Sequence, residues 1–172
     1  MKCDCWRAIN LRATPAGLRR APLRFGDQTL LESPALGRNS SLRVHVSGCP
    51  NSCAQHQVGD IGLAGAKVKI GERATDGYQL FLGADLASHV VGEVVGRVGA
   101  ADVPAAVEVV VGIWESMRHG GETLGQTVNR VGHEAFAAHI EAVMQERWGS
   151  GPEPSPDGAD GRVLAAAAAP AP

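Results

Sequence analysis

Leu42-Arg43-Val44-His45-Val46-Ser47-Gly48-Cys49-Pro50-Asn51-Ser52-Cys53 is the stretch on which both fold and chemistry turn. Leu42, Val44 and Val46 alternate with Arg43, His45 and Ser47, the period of two that marks a strand with one buried face. Gly48 and Pro50 end that strand, and Ser52 to Val58 is expected as a short helix capped by Asn51 or Ser52. Cys49 and Cys53 are separated by three residues, so a tight turn running into a helix start sets both sulfurs on one side. Thiolates are the standard ligands of iron–sulfur clusters. Backbone N–H groups at a helix start can also donate to cluster sulfur. The small residues Ser47, Gly48, Ser52 and Ala54 leave room for a bulky inorganic group. Taken alone, the pair fits two free buried thiols nearly as well. A zinc site completed by Cys3 and Cys5 is also conceivable, although C-x-C is not a usual zinc spacing.

Working outward, Asp60 to Ile70 returns to strand character through Ile61, Leu63, Val68 and Ile70. Thr75-Asp76-Gly77 reads as a turn, and Tyr78 to Leu82 as a further strand. The two runs are expected to pair as a hairpin with a long polar connection. Gly83 to Gly99 is rich in Gly and Val and stays ambiguous between strand and helix. Asp102 reads as an N-cap with Pro104 just inside a helix that runs to about His119. Val107, Val110, Val111 and Trp114 share one face of it. Gly120-Gly121 stops this helix, Glu122 to Arg130 forms the next, and Gly132 allows a bend. His133 to Trp148 is a last amphipathic helix with Phe136, Ile140, Val143 and Met144 on its apolar face. The fold class is therefore α+β. A mixed sheet from strands near 42–47, 60–70 and 78–82 is covered by helices near 103–119 and 122–147.

The chain has 172 residues, 44 % of them hydrophobic and only 4 % aromatic, so one domain with an aliphatic core is expected. Residues 42–148 form that domain. Residues 1–41, broken by Pro15, Pro22 and Pro34, read as mostly irregular. Residues 149–172, rich in Gly, Pro and Ala, carry too little apolar bulk to offset their ordering entropy and read as a disordered tail. A formal net charge of −2 gives no argument for nucleic acid. The first 43 residues hold eight Lys or Arg against Asp4, Asp27 and Glu32. Such a start occurs in transit peptides, but a solvated, weakly ordered segment is the preferred reading. No apolar run reaches the roughly 18 residues of a membrane helix, and no secretory signal is visible. The expectation is a soluble, cytoplasmic chain, in which clustered cysteines serve metals or catalysis rather than disulfides.

The longer string VSGCPNSCAQHQVGDIGLAG, Val46 to Gly65, resembles the second cysteine motif of the nitrite/sulfite reductase family almost residue for residue. Gly77 to Gly83 is similar to the strand that follows it. Glu122-Thr123-Leu124-Gly125 and Asn129-Arg130-Val131-Gly132 are similar to the family's closing helices. The resemblance covers roughly residues 42–147 and implies the family's haemoprotein half-domain. In that family four cysteines, C-x5-C followed by C-x3-C, hold a [4Fe–4S] cluster, and the last also bridges to the iron of sirohaem. The resemblance thus implies Cys49 and Cys53 as cluster ligands, Cys53 as the bridge, and Asn51 and Gln55 beside the cofactors. It implies six-electron reduction of nitrite to ammonia or of sulfite to sulfide, with electrons from a separate ferredoxin or flavoprotein. No G-x-G-x-x-G follows a strand, so a nicotinamide nucleotide is not expected to bind here.

The pattern departs from the family upstream. Six positions after Cys3 stands Ile9, and six after Cys5 stands Leu11, neither of which can bind iron. Either Cys3 or Cys5 substitutes for a missing ligand, or no complete cluster forms; the second is favoured. Full members are far longer, and the Arg and Lys residues that bind their anionic substrate lie largely in parts absent here. The expectation is a fragment that partners the missing N-terminal half, or else a non-catalytic remnant or interaction module that keeps the fold. Of the six histidines, His56 is the best candidate to face a cofactor or substrate, and the default for each is a surface or core role. His45 is expected to be exposed, Asp60 to accept a structural hydrogen bond, and Trp114 to sit in the core.

Overall fold

The computed structural model describes residues 9–12, 33–39, 41–48, 51–70 and 73–148. Five strands form one sheet in the order of the chain: β1 (Ile9–Arg12), β2 (Arg43–Ser47), β3 (Ile61–Ile70), β4 (Arg73–Leu82) and β5 (Glu93–Gly99). Among the described residues four α-helices accompany them: α1 (Pro34–Arg38), α2 (Val103–Met117), α3 (Leu124–Val131) and α4 (His133–Trp148). Only β2 and β3 run parallel, with Val44 opposite Ile61 and Val46 opposite Leu63; the other pairs are antiparallel. The sheet is mixed and helix-covered, in agreement with the α+β expectation.

Strand alternation divides the sheet into two faces. Val44, Val46, Ile61, Leu63, Leu80 and Leu82 are buried and join Val107, Val110, Val111 and Trp114 of α2, Leu124 and Val128 of α3, and Phe136 and Ile140 of α4. Burial on this scale, at about 25 cal/mol per Å² of apolar surface, is the main term holding helices to sheet. His45, Ser47, Gly62 and Phe81 fall on the opposite parity and face away from those helices. α1 is tied to α2 where Asn39 Nδ2 donates to Glu115 Oε1 at 2.7 Å.

Several expectations need correction. Thr75-Asp76-Gly77 is not a turn but lies inside β4, because Ile70 already pairs with Arg73. A Cβ on Gly77 would come within 2.4 Å of Val68 Cγ2 and of the Val98 carbonyl oxygen. Gly77 is therefore a close-approach glycine within a sheet, which mimics a turn signal in sequence. The connection between β3 and β4 is correspondingly short rather than long. The ambiguous Gly83–Gly99 segment resolves into a 3-10 turn, Leu86–Ser88, and β5. The expected break between the last two helices is present at Gly132, with φ 103°, but α3 begins at Leu124 rather than at Glu122. α2 stops at Met117, two residues early, where Arg118 turns extended. On α4, Phe136, Ala137 and Ile140 are buried while Val143 is exposed; the Met144 side chain lies outside the described residues. β1 lies in a segment expected to be irregular, and the expected tail at 149–172 lies outside the described residues.

Candidate cysteine turn

A parallel pair of strands cannot be joined by a tight turn; the chain needs about a dozen residues to return to the same end. Residues 48–60 make that return from β2 to β3, and they carry the C-x3-C motif. The crossover lies over the face of the sheet opposite the helices, where His56 stacks tilted on Phe81 at 4.5 Å between ring centroids.

The short helix expected over 52–58 is not formed. Ser52 (φ 57°) and Gln55 (φ 51°) are both left-handed, a conformation that breaks a right-handed helix. What remains is a turn followed by a single 3-10 turn, His56–Val58, entered from Gln55 without a side-chain cap. Neither Asn51 nor Ser52 caps it. The turn is fastened from four sides. Gln55 N–H donates to the Ser52 carbonyl at 2.7 Å, and Val58 N–H to the Gln55 carbonyl at 3.0 Å. The Ser52 hydroxyl donates to Gln57 Oε1. Gly92 N–H, from the loop before β5, donates to the Gln57 carbonyl at 2.7 Å. From β2, His45 Nδ1 lies 3.1 Å from the Gln55 carbonyl, and Ser47 Oγ accepts from Ala54 N–H at 3.2 Å.

The far end of the crossover is held as well. Asp60, just ahead of β3, accepts from Arg43 N–H at 2.7 Å, from Nε at 3.0 Å and from Nη2 at 2.9 Å. The bidentate pair joins the starts of the two parallel strands. The hydrogen bond to Asp60, with the carboxylate's charge, holds the Arg43 guanidinium above its ordinary pKa. Asp60 thus has the structural hydrogen-bonding role expected of it.

Cys53 is a free, exposed thiol in this turn. Asn51 and Gln55 are exposed beside it in the chain. Cys49 lies outside the described residues, as do Cys3 and Cys5. Among the described residues no three His, Cys, Asp or Glu side chains gather as a metal site. The chemistry of the donor set nonetheless suits iron at one point: a thiol, open to solvent, on a rigid turn. His56, the histidine singled out from sequence, is buried rather than open, and loss of solvent pushes its pKa down. Its ring faces Ser47 Oγ at 3.2 Å. Trp114 is buried in the core, as expected. The bracing roles of His45, Ser47, Gln57 and Phe81 were not singled out in sequence. Strand parity carried the signal, since 45 and 47 share the non-core face of β2. No helix of the described residues is long and apolar enough to cross a membrane.

Comparison with known proteins places the crossover in context. Residues 39–148 match the family model described as the nitrite and sulphite reductase 4Fe-4S domain. The chain is 50 % identical over 48 residues to a ferredoxin–nitrite reductase of Leptolyngbya laminosa, covering 28 % of this chain and 9 % of that protein. It is 30 % identical over 106 residues to the sulfite reductase [NADPH] hemoprotein beta-component of Colwellia psychrerythraea, covering 61 % of this chain and 17 % of that one. The solved structure of the Mycobacterium tuberculosis NirA protein superposes with a TM-score of 0.54 at 25 % identity, over 64 % of this chain and 22 % of that one. The chain therefore spans less than a quarter of the length of each of these relatives.

Proposed function

Because the chain belongs to the nitrite and sulphite reductase 4Fe-4S domain family, we propose that it is the part of a nitrite or sulfite reductase that presents thiolates to a [4Fe–4S] cluster and sirohaem. Cys49 and Cys53 would be two of the cluster ligands, and Cys53 would be the thiolate shared with sirohaem. Asn51 and Gln55, exposed beside Cys53, would contact the cofactors. The observation that carries this reading is the exposed Cys53 thiol on a turn whose following peptides, at Ala54 and Gln55, are hydrogen-bonded.

The coupled cluster and haem, when bound, supply the electron storage that six-electron reduction of nitrite or sulfite demands, chemistry that belongs to the cofactors. This chain's residues supply position. The Arg43–Asp60 pair closes the crossover, His45 and Ser47 fix the peptides after Cys53, and Phe81 with His56 fills the space behind. Electrons come from an external ferredoxin or flavoprotein, as the names of the ferredoxin- and NADPH-dependent relatives suggest, and the setting is the cytoplasm.

The absence of a C-x5-C pattern around Cys3 and Cys5 favours a second reading: a remnant that keeps the fold without a complete cluster. Anaerobic reconstitution with iron, sulfide and sirohaem separates the two. A strongly coloured protein that carries iron, acid-labile sulfide and sirohaem supports the first reading. A colourless, iron-free protein refutes it.

A further inference from the structure

We propose that Ser47 and His56 are positioning residues for Cys53, acting as a relay that holds the peptide immediately after it. This rests on the reading of Cys53 as a ligand.

The turn is not one that its own backbone favours. Ser52 on one side of Cys53 and Gln55 two residues beyond are non-glycine residues in the left-handed region, a conformation disfavoured for residues with a Cβ. Something outside the turn must hold it. The Ser47 hydroxyl has one proton and two lone pairs. Ala54 N–H takes a lone pair at 3.2 Å. The hydroxyl proton is then free to point at His56 Nδ1, also at 3.2 Å. That arrangement assigns His56 the neutral tautomer with its proton on Nε2 and Nδ1 as acceptor. His56 is itself immobilised: its ring is buried against Phe81, and its carbonyl lies so close to Gly62 that a Cβ there would sit 2.0 Å away. The chain of contacts runs from Gly62 near the start of β3 and Phe81 near the end of β4, through His56 and Ser47, to the Ala54 amide adjoining Cys53. A metal ligand held by such neighbours is pre-organised before metal arrives.

The test uses the full chain, free of cluster and then reconstituted. Amide hydrogen exchange is read at Ala54, with the Leu63 and Leu80 amides of the central strands reporting global opening. Ser47→Ala and His56→Leu are expected to speed exchange at Ala54 roughly tenfold, the factor carried by one net hydrogen bond. His56→Asn, which retains an acceptor near the position of Nδ1, is expected to restore it. Leu63 and Leu80 should not change. In reconstituted protein, release of iron to a chelator should accelerate in Ser47→Ala and His56→Leu and not in His56→Asn. Unchanged exchange at Ala54, a rise spread equally over all three amides, or iron release indifferent to the variants would each overturn the proposal. If no variant, nor the unsubstituted chain, takes up iron, the ligand reading falls, while the exchange data still decide whether the relay exists.

Discussion

Adding one methyl group at Gly62 should lift the whole cysteine-bearing crossover. Gly62 is the second residue of β3, paired to His45 on one side and Phe81 on the other, so the strand cannot retreat. A Cβ at Gly62 would stand 2.0 Å from the His56 carbonyl oxygen, 2.9 Å from its carbon and 3.0 Å from Phe81 Cβ, where ordinary contact begins at 3.4 Å. The His56 peptide must therefore move out by more than 1 Å, and the obstacle is backbone, which cannot rotate away. Overpacking of this kind costs about 1–3 kcal/mol. Loss of the Ser47–His56 contact adds about 1 kcal/mol, and the stiffer unfolded chain returns roughly 0.5–1 kcal/mol. The net destabilisation of Gly62→Ala is thus on the order of 2 kcal/mol. Urea unfolding of the cluster-free chain, followed by circular dichroism, measures it. Gly96→Ala is the comparison, because a Cβ there meets nothing within 4 Å. A Gly62→Ala protein as stable as Gly96→Ala would refute the close approach of crossover and sheet.

Three further outcomes follow from the same structure. Thr123 and Gln126 form a reciprocal capping box on α3, so Thr123→Ala should lower stability by about 1 kcal/mol, read as a lower urea midpoint. Asp60→Asn removes the charge that gathers three donors from Arg43, and should cost about 1.5–3 kcal/mol; Arg43→Met made in the Asp60→Asn background should then cost less than it does alone. Burial lowers the His56 pKa from 6.5, so the unfolded chain takes up that proton first. Stability is at its fullest above pH 6.5, falls as pH drops below it, and levels off once folded His56 is itself protonated. The slope of urea midpoint against pH below 6.5 should be shallower in His56→Leu than in the unsubstituted chain.

What could be read in the sequence followed from periodicity. Leu42–Val46 and Ile61–Leu63 alternate because one sheet face is buried, and Val107, Val110, Val111 and Trp114 recur at helical spacing because one helix face is. Features that depended on close approach between distant segments were not legible. Gly77 looked like a turn because its neighbours are Thr75 and Asp76, whereas its reason for being glycine is Val98, on another strand. The 52–58 segment looked helical because its residue types do not reveal left-handed Ser52 and Gln55; the turn is held by Gln57 from within the segment and by Ser47 and Gly92 from outside it. Within the candidate site, the cysteines stood out by spacing. The residues that brace them did not, since Ser47 and His45 carry no motif of their own and are recognisable only by strand parity.

The most direct test is the iron and acid-labile sulfide content per chain after anaerobic reconstitution, measured side by side for the unsubstituted protein and for Cys53→Ser. If the open thiol on the braced turn is a cluster ligand, the first binds iron and sulfide together and the second loses both while unfolding at a similar urea concentration. Equal iron in the two proteins, or none in either, would contradict it.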